Sequence, residues 1–102
     1  MEKNALPGAC YPHLFAPIRI GNLRLKNRII AAPTSPSMVT TQGHMTPEML
    51  AYLEEKAWGG AAVVTYGEAI VHSATGKSHN KQIQLDSFGV RQGLAEAATL
   101  VT

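Results

Sequence analysis

The fold is decided by one stretch of sequence, which reads Asn27-Arg28-Ile29-Ile30-Ala31-Ala32-Pro33-Thr34-Ser35-Pro36-Ser37. An apolar run bounded by turn-forming residues is typical of a fully buried strand. Pro33 restricts the residue before it to extended conformations and donates no ladder hydrogen bond, so we expect the strand to stop at about Ala32. Ligands of parallel α/β folds bind at the carboxyl ends of strands, which makes the small polar loop after Ala32 a candidate binding site.

A helix is predicted over residues 47–58. Thr46 is a good N-cap, Pro47 suits the first helical position, and Gly59-Gly60 would end the helix. The apolar residues at helical spacing predict one buried face, made of Leu50, Leu53, Ala57 and Trp58.

A second strand is predicted over residues 61–66, because this β-branched run shows no polar alternation until Thr65. Gly67 marks its end. Strand, helix and strand in this order form a βαβ unit, which crosses over with right-handed geometry. Before this unit, alternation of apolar residues and arginines over 18–25, interrupted by Gly21-Asn22, predicts a β-hairpin.

The remainder of the sequence is less regular. The run 69–71 leaves open an extension of the second strand, and 76–80 is predicted as polar loop. Asp86 or Ser87 is expected to cap a second helix, whose apolar stripe comprises Val90, Leu94, Ala97, Ala98 and Val101. No third strand is expected. Two buried strands leave open sheet edges, so we expect pairing with other copies or with the remainder of a longer chain.

Composition excludes several classes of protein. The 102 residues are 45% apolar and 16% charged, with a formal net charge of +2 and no basic cluster, which argues against a nucleic-acid partner. Cys10 is the single cysteine, so no internal disulfide is expected and a reducing compartment fits best. We expect no signal peptide, and no apolar run approaches about 18 residues, so we expect a cytoplasmic protein without a membrane partner.

An ordered series of motifs resembles the N-terminal part of the Old Yellow Enzyme family of flavin-dependent ene-reductases, which includes NADH:flavin oxidoreductases and 2,4-dienoyl-CoA reductases. The matching segments lie between residues 13 and 102 and read LFAPI at 14–18, IGNLRLKNRI at 20–29, AP at 32–33, GHMTP at 43–47 and KAWGGA at 56–61.

This resemblance implies an α/β fold, specifically the hairpin and first two βα units of an FMN-binding TIM (β/α)₈ barrel. Residues 1–12 would be an irregular leader and 13–102 the partial barrel domain. Matched by position, Ala32, Pro33 and Thr34 would contact the flavin through their backbone. Ser35 takes the place of a Thr or Cys beside the flavin ring, and Gly67 that of a small residue whose backbone approaches it.

The activity implied by the resemblance is an FMN-dependent oxidoreductase that reduces activated C=C bonds of small enone or enoyl substrates with NAD(P)H. The resemblance implies that several functional groups of the family lie beyond Thr102. They are the pair that binds the substrate, the tyrosine that donates the proton, the arginines that bind the flavin phosphate and, in longer members, the cysteines of an iron–sulfur cluster. No catalytic residue is therefore assigned, and we expect the 102 residues alone to be inactive. The segment Ser35-Pro36-Ser37 departs from the family pattern, where an aromatic or larger residue is common.

Simpler interpretations stand beside these. Thr34 and Ser35 could belong to a solvated loop and Gly67 to a strand-terminating turn. Glu68, His72 and His79 could suggest metal ligands, but their spacing favours ordinary polar loop residues. The chain as a unit could be a non-catalytic assembly that buries its strand edges by self-association.

Overall fold

The computed structural model describes residues 10–102, so the predicted leader at 1–12 lies almost wholly outside the described residues. Within these residues, six short strands and the three helices bounded below follow one another. Their bounds are β1 Ile18–Ile20, β2 Leu23–Leu25, β3 Ile30–Ala31, α1 Pro47–Trp58, β4 Val63–Val64, β5 Ala69–Ile70, α2 Ser73–Gly76, β6 Ile83–Gln84 and α3 Val90–Val101.

The predicted hairpin and βαβ unit are both present. Strands β1 and β2 pair antiparallel around a turn in which Gly21 has a φ of +58°, a conformation that glycine adopts without strain. Strands β3 and β4 pair parallel, with Ile30 opposite Val63 and Ala31 opposite Val64. Both strands are shorter than the predicted 28–32 and 61–66. Pro33 stops β3, and each strand has a single partner among the described residues.

Helix α1 begins and ends where the sequence predicts. The Thr46 hydroxyl oxygen accepts a hydrogen bond from the Met49 N–H at 3.2 Å and donates to the Met38 carbonyl at 2.6 Å, so it caps the helix and ties it to the preceding loop. The predicted buried face needs one correction. Trp58 is 79% exposed, whereas Met49, which the prediction left out, is buried. The apolar face is rotated toward Met49 because α1 packs against α3 and against the loop that precedes α1.

The core lies between α1, α3 and strand β6. Its buried residues are Val39, Met49, Leu53, Ile83, Val90 and Ala97. Leu53 and Ala97 come from the predicted apolar stripes of the two helices, which confirms that both helices bury one face.

The structure of residues 68–89 differs from three of the predictions. Ala69–Ile70 does not extend β4 but forms a separate strand, which pairs parallel with the unpredicted β6. Strands β5 and β6 also contradict the expectation that no third strand follows, whereas the loop predicted at 76–80 is confirmed apart from Gly76, the last residue of α2. Helix α3 has Gly89 at its N-cap instead of Asp86 or Ser87. The Asp86 carboxylate instead accepts hydrogen bonds from the backbone N–H and the hydroxyl of Ser73, at 2.8 and 2.9 Å.

Candidate functional site

The candidate site lies where β3 and β4 end. Because the two strands are parallel, their carboxyl ends open at the same edge of the sheet. The segment after β3, Ala32 to Ser35, is called the mouth segment here. All four of its residues are exposed, and the Thr34 hydroxyl donates to the Ala32 carbonyl at 3.2 Å, which holds the turn locally. The mouth segment therefore presents small side chains and backbone to the outside.

Gly67 follows β4 at the same edge of the sheet and is buried. A Cβ atom built on Gly67 would lie 3.0 Å from the Pro33 Cβ and 3.8 Å from the Thr34 nitrogen. The missing side chain thus allows the chain after β4 to lie directly against the mouth segment. The structure therefore places three of the five predicted site residues against one another: Pro33, Thr34 and Gly67.

Glu68 directly follows Gly67 in the chain. The Glu68 carboxylate is held by the His79 imidazole, and this hydrogen bond is the main reason that the pKa of Glu68 lies below its usual value. Gln82 and Ser35 add smaller effects in the same direction, partly opposed by burial. The polar surroundings of the mouth segment therefore keep Glu68 ionised.

Sequence reasoning missed a contact on α1 between Tyr52 and Lys56. Tyr52, on α1, has its pKa lowered mainly by a hydrogen bond to Lys56 and to a smaller extent by one to Thr34. The Lys56 ammonium also lies 4.4 Å from the centroid of the Tyr52 ring. The i, i+4 spacing of Tyr52 and Lys56 could have indicated their contact, but nothing local in the sequence indicated Thr34.

The three residues considered as metal ligands separate into two groups. Glu68 pairs with His79, whereas the His72 Nδ1 atom is 2.9 Å from the Thr75 hydroxyl. Between residues 10 and 102 no three such side chains come together in a way that could hold a metal ion. The Glu68–His79 pair joins loops eleven positions apart, and its only signal in the sequence was the presence of both residue types near a strand end.

The mouth segment fits a flavin. Its four residues are small and exposed, so a flat ring can lie against the backbone, and the Thr34 and Ser35 hydroxyls supply polar contacts at its edge. Flavin contact by Ala32, Pro33, Thr34, Ser35 and Gly67 remains a prediction.

Comparison with known proteins identifies relatives of this chain. The model of the NADH:flavin oxidoreductase / NADH oxidase family matches residues 13–89. An NADH oxidase from Thermoanaerobacter brockii is 30% identical over 91 residues, which cover 89% of this chain and 14% of that protein.

Solved structures give the same result at the level of the fold. A 2-naphthoyl-CoA reductase in complex with 2-naphthoyl-CoA superposes with a TM-score of 0.83 at 32% identity, over 89% of this chain and 14% of that one. The old yellow enzyme from Trypanosoma cruzi superposes with a TM-score of 0.79 at 24% identity, over 90% and 24% of the two chains. The fold is the N-terminal portion of a TIM (β/α)₈ barrel, in which β3 and β4 are the first two barrel strands.

The chain spans about one seventh of the length of the NADH oxidase that it matches. Among the residues that the structure describes, no helix combines the length and the apolar character that crossing a bilayer requires.

Proposed function

We propose that this chain, which belongs to the NADH:flavin oxidoreductase / NADH oxidase family, forms one wall of the FMN site of an oxidoreductase that reduces activated C=C bonds with NAD(P)H. The observation that carries the proposal is the exposed mouth segment at the carboxyl end of β3, with Gly67 packed against Pro33. Active sites of TIM barrels lie at this end of the strands.

Each residue of the site has a stated role in this proposal. Ala32, Pro33 and Thr34 offer backbone to one edge of the flavin, and Gly67 keeps the chain after β4 close to them. The Ser35 hydroxyl lies at the end of the mouth segment, where it can donate a hydrogen bond to the ring carbonyl near N5. Bound FMN supplies hydride transfer, and a donor at that carbonyl favours the electron-rich reduced ring.

One of the relatives supports a substrate class. The 2-naphthoyl-CoA reductase was solved with an aromatic acyl-CoA thioester, whose unsaturated carbons are conjugated with a carbonyl. We infer that this protein acts on a small enone or enoyl-type compound. We expect the family's other functional groups to lie outside these residues: the proton donor, the substrate-binding pair, the phosphate-binding arginines and any iron–sulfur ligands. Measurable NAD(P)H turnover by the 102-residue chain alone would therefore contradict the proposal.

A titration with FMN tests the proposal. The purified protein is titrated while the visible absorbance and fluorescence of the flavin are followed, and size-exclusion chromatography defines the species that binds. We expect saturable quenching of the flavin fluorescence. Failure of the protein to bind FMN in any defined species would contradict the assignment of the mouth segment.

Two variants localise the binding. Gly67→Val places a side chain against Pro33, where a Cβ alone already comes within 3.0 Å, so we expect FMN affinity to fall at least tenfold. Thr41→Ala is the control, because Thr41 is exposed and its hydroxyl has only a 3.4 Å contact with the neighbouring Gln42. Equal affinities of the two variants would mean that FMN binds elsewhere.

A second candidate function is a non-catalytic, self-associating assembly. The observation in its favour is the exposure of large apolar side chains, including Ile30 on β3, Trp58 and Phe88. Such surfaces are covered either by other copies or by the remainder of a barrel. Sedimentation velocity over a range of concentrations separates the two, because self-association predicts a concentration-dependent mass without FMN binding.

A further inference from the structure

Asn27 lies just before β3, at the end of the sheet opposite the mouth segment, and it is buried, with an exposure of 6%. Both polar ends of its side chain are used. The Oδ1 atom accepts from the Ile29 backbone N–H at 3.0 Å, and the Nδ2 atom donates to the Gly60 carbonyl at 2.7 Å. A buried amide needs such partners, and they fix its orientation. One side chain therefore joins the chain before β3 to the chain before β4.

The two strands that Asn27 joins are too short to fix their own alignment firmly. Each has two residues, and the backbone bonds around them include those from the Ala62 N–H to the Ile29 carbonyl at 3.0 Å and from the Thr65 N–H to the Ala31 carbonyl at 3.1 Å. A slip of two residues keeps each side chain on its face of the sheet and moves one strand by about 7 Å. A fixed point outside this short ladder therefore helps to define the register.

The register decides where the two ends of the candidate site meet. Pro33 lies six positions after Asn27, and Gly67 lies seven positions after Gly60. Two extended segments that run parallel from one fixed point cover similar distances, so their ends arrive side by side. The observed packing of Gly67 against Pro33, where a built Cβ would lie 3.0 Å from the Pro33 Cβ, agrees with this count.

We propose that Asn27 is a positioning residue of the flavin site, whose two hydrogen bonds set the register of β3 against β4 and thereby hold Pro33 and Gly67 together. This inference rests on the proposed function. Asn27 precedes Ala32, the first residue of the mouth segment, by five positions, or about 16 Å at the rise of an extended strand. Its effect on FMN binding therefore acts through the backbone of the strand.

The first test combines FMN titration with hydrogen exchange of the Thr65 amide. Asn27→Ala leaves the Gly60 carbonyl and the Ile29 N–H without this partner, so we expect the Kd for FMN to rise at least about tenfold. Exchange at Thr65 is expected to accelerate more than in Met49→Ala. That variant is the control for lost stability, because Met49 is buried in the helical core and lies outside both strands. Its Kd should stay within about twofold of the unmodified value at a temperature where both variants are folded.

Asn27→Asp separates the hydrogen bonds from the shape of the side chain. An ionised carboxylate still accepts from the Ile29 N–H but cannot donate to the Gly60 carbonyl, whereas the protonated carboxyl can. Burial raises the pKa of such a carboxyl. The neighbouring Lys26 and Arg28 are exposed and identical in every variant.

The readout of Asn27→Asp is its Kd for FMN divided by that of the unmodified protein at the same pH. We expect a ratio of at least about ten where the carboxyl is ionised, and a fall toward one as the pH is lowered through its pKa, which NMR titration of the variant locates. A ratio that stayed constant through that pKa would show that the side chain acts by packing alone and would overturn the inference.

The two readouts keep the possible failures apart. If the unmodified protein binds no FMN, the proposed function fails and this inference fails with it. If FMN binds but Asn27→Ala neither weakens binding nor accelerates exchange at Thr65, only the inference fails. Accelerated exchange with unchanged FMN affinity would also overturn it, because the register of the strands would then have no effect on the flavin site.

Discussion

The side of the molecule formed by α1 and α3 and the side formed by β3 and β4 differ in how completely they are packed. The helices enclose a core of buried residues, whereas within residues 10–102 each of the two strands has one partner, and Ile30 on β3 is 55% exposed. Parallel strands are normally buried on both faces, and their backbone edges need neighbours. The helical side is therefore packed through its own side chains, and we expect further chain or further copies to cover the strands.

The largest expected effect is on the helical side. Leu53 is 2% exposed and packs between α1 and α3, so Leu53→Ala should lower the free energy of unfolding by about 2–5 kcal/mol. The matched control is Leu100→Ala on α3, where the side chain is 41% exposed and the loss should be below about 1 kcal/mol. Urea unfolding of both variants measures the difference. Similar losses would mean that the helices do not form the stabilising core.

A smaller effect is expected where the loop before α1 meets β6. Gly43, with a φ of +76°, lies against Gln84 of β6, and a Cβ there would come within 2.6 Å of the Gln84 backbone nitrogen. Gly43→Ala should therefore lower the free energy of unfolding by about 2–4 kcal/mol, from backbone strain and the clash together.

Gly21 in the hairpin turn separates these two contributions. Its φ is +58°, but a Cβ there would meet nothing within 4 Å. Gly21→Ala should cost about 1 kcal/mol from strain alone. If the two alanine variants unfold at the same urea concentration, the close approach of Gly43 to β6 makes no difference to stability, and this contact is looser than its distances indicate.

The same contrast explains which parts of the fold the sequence predicts. The helix at Pro47–Trp58 follows from local chemistry, because Thr46 caps it and Pro47 suits its first turn. The hairpin likewise follows from alternation and a glycine turn. Strand β6 could not be predicted in this way, since its pairing with β5 depends on how distant segments pack. Helical spacing also placed Trp58 on the buried face of α1, but the orientation of α1 against α3 leaves this side chain exposed.

For the candidate site, strand ends and small residues indicate the mouth segment and Gly67, because the direction of parallel strands decides where their ends meet. The Glu68–His79 contact was not predictable, since it depends on the loop that Gln82 organises. Asp86 is a similar case. The sequence favours it as a helix cap, but its carboxylate instead reaches Ser73 across thirteen positions, a distance along the chain that capping rules do not cover.

The smallest expected effect belongs to this Asp86 contact. Hydrogen bonds from the Ser73 backbone N–H and hydroxyl hold the pKa of Asp86 below its ordinary value of 3.8. A carboxyl whose pKa is lower in the folded state contributes stability above its unfolded pKa and loses this contribution as the pH falls through the folded value.

We expect Asp86→Asn to lower the Tm slightly near neutral pH. The difference should shrink below about pH 4 and vanish in stronger acid, as a series of thermal melts between about pH 2 and pH 7 would show. Glu55→Gln, which removes a charge from an exposed position of α1, is the control for net charge. A Tm difference that persisted unchanged to low pH would show that Asp86 stabilises the loop by its shape and not by its ionised carboxylate.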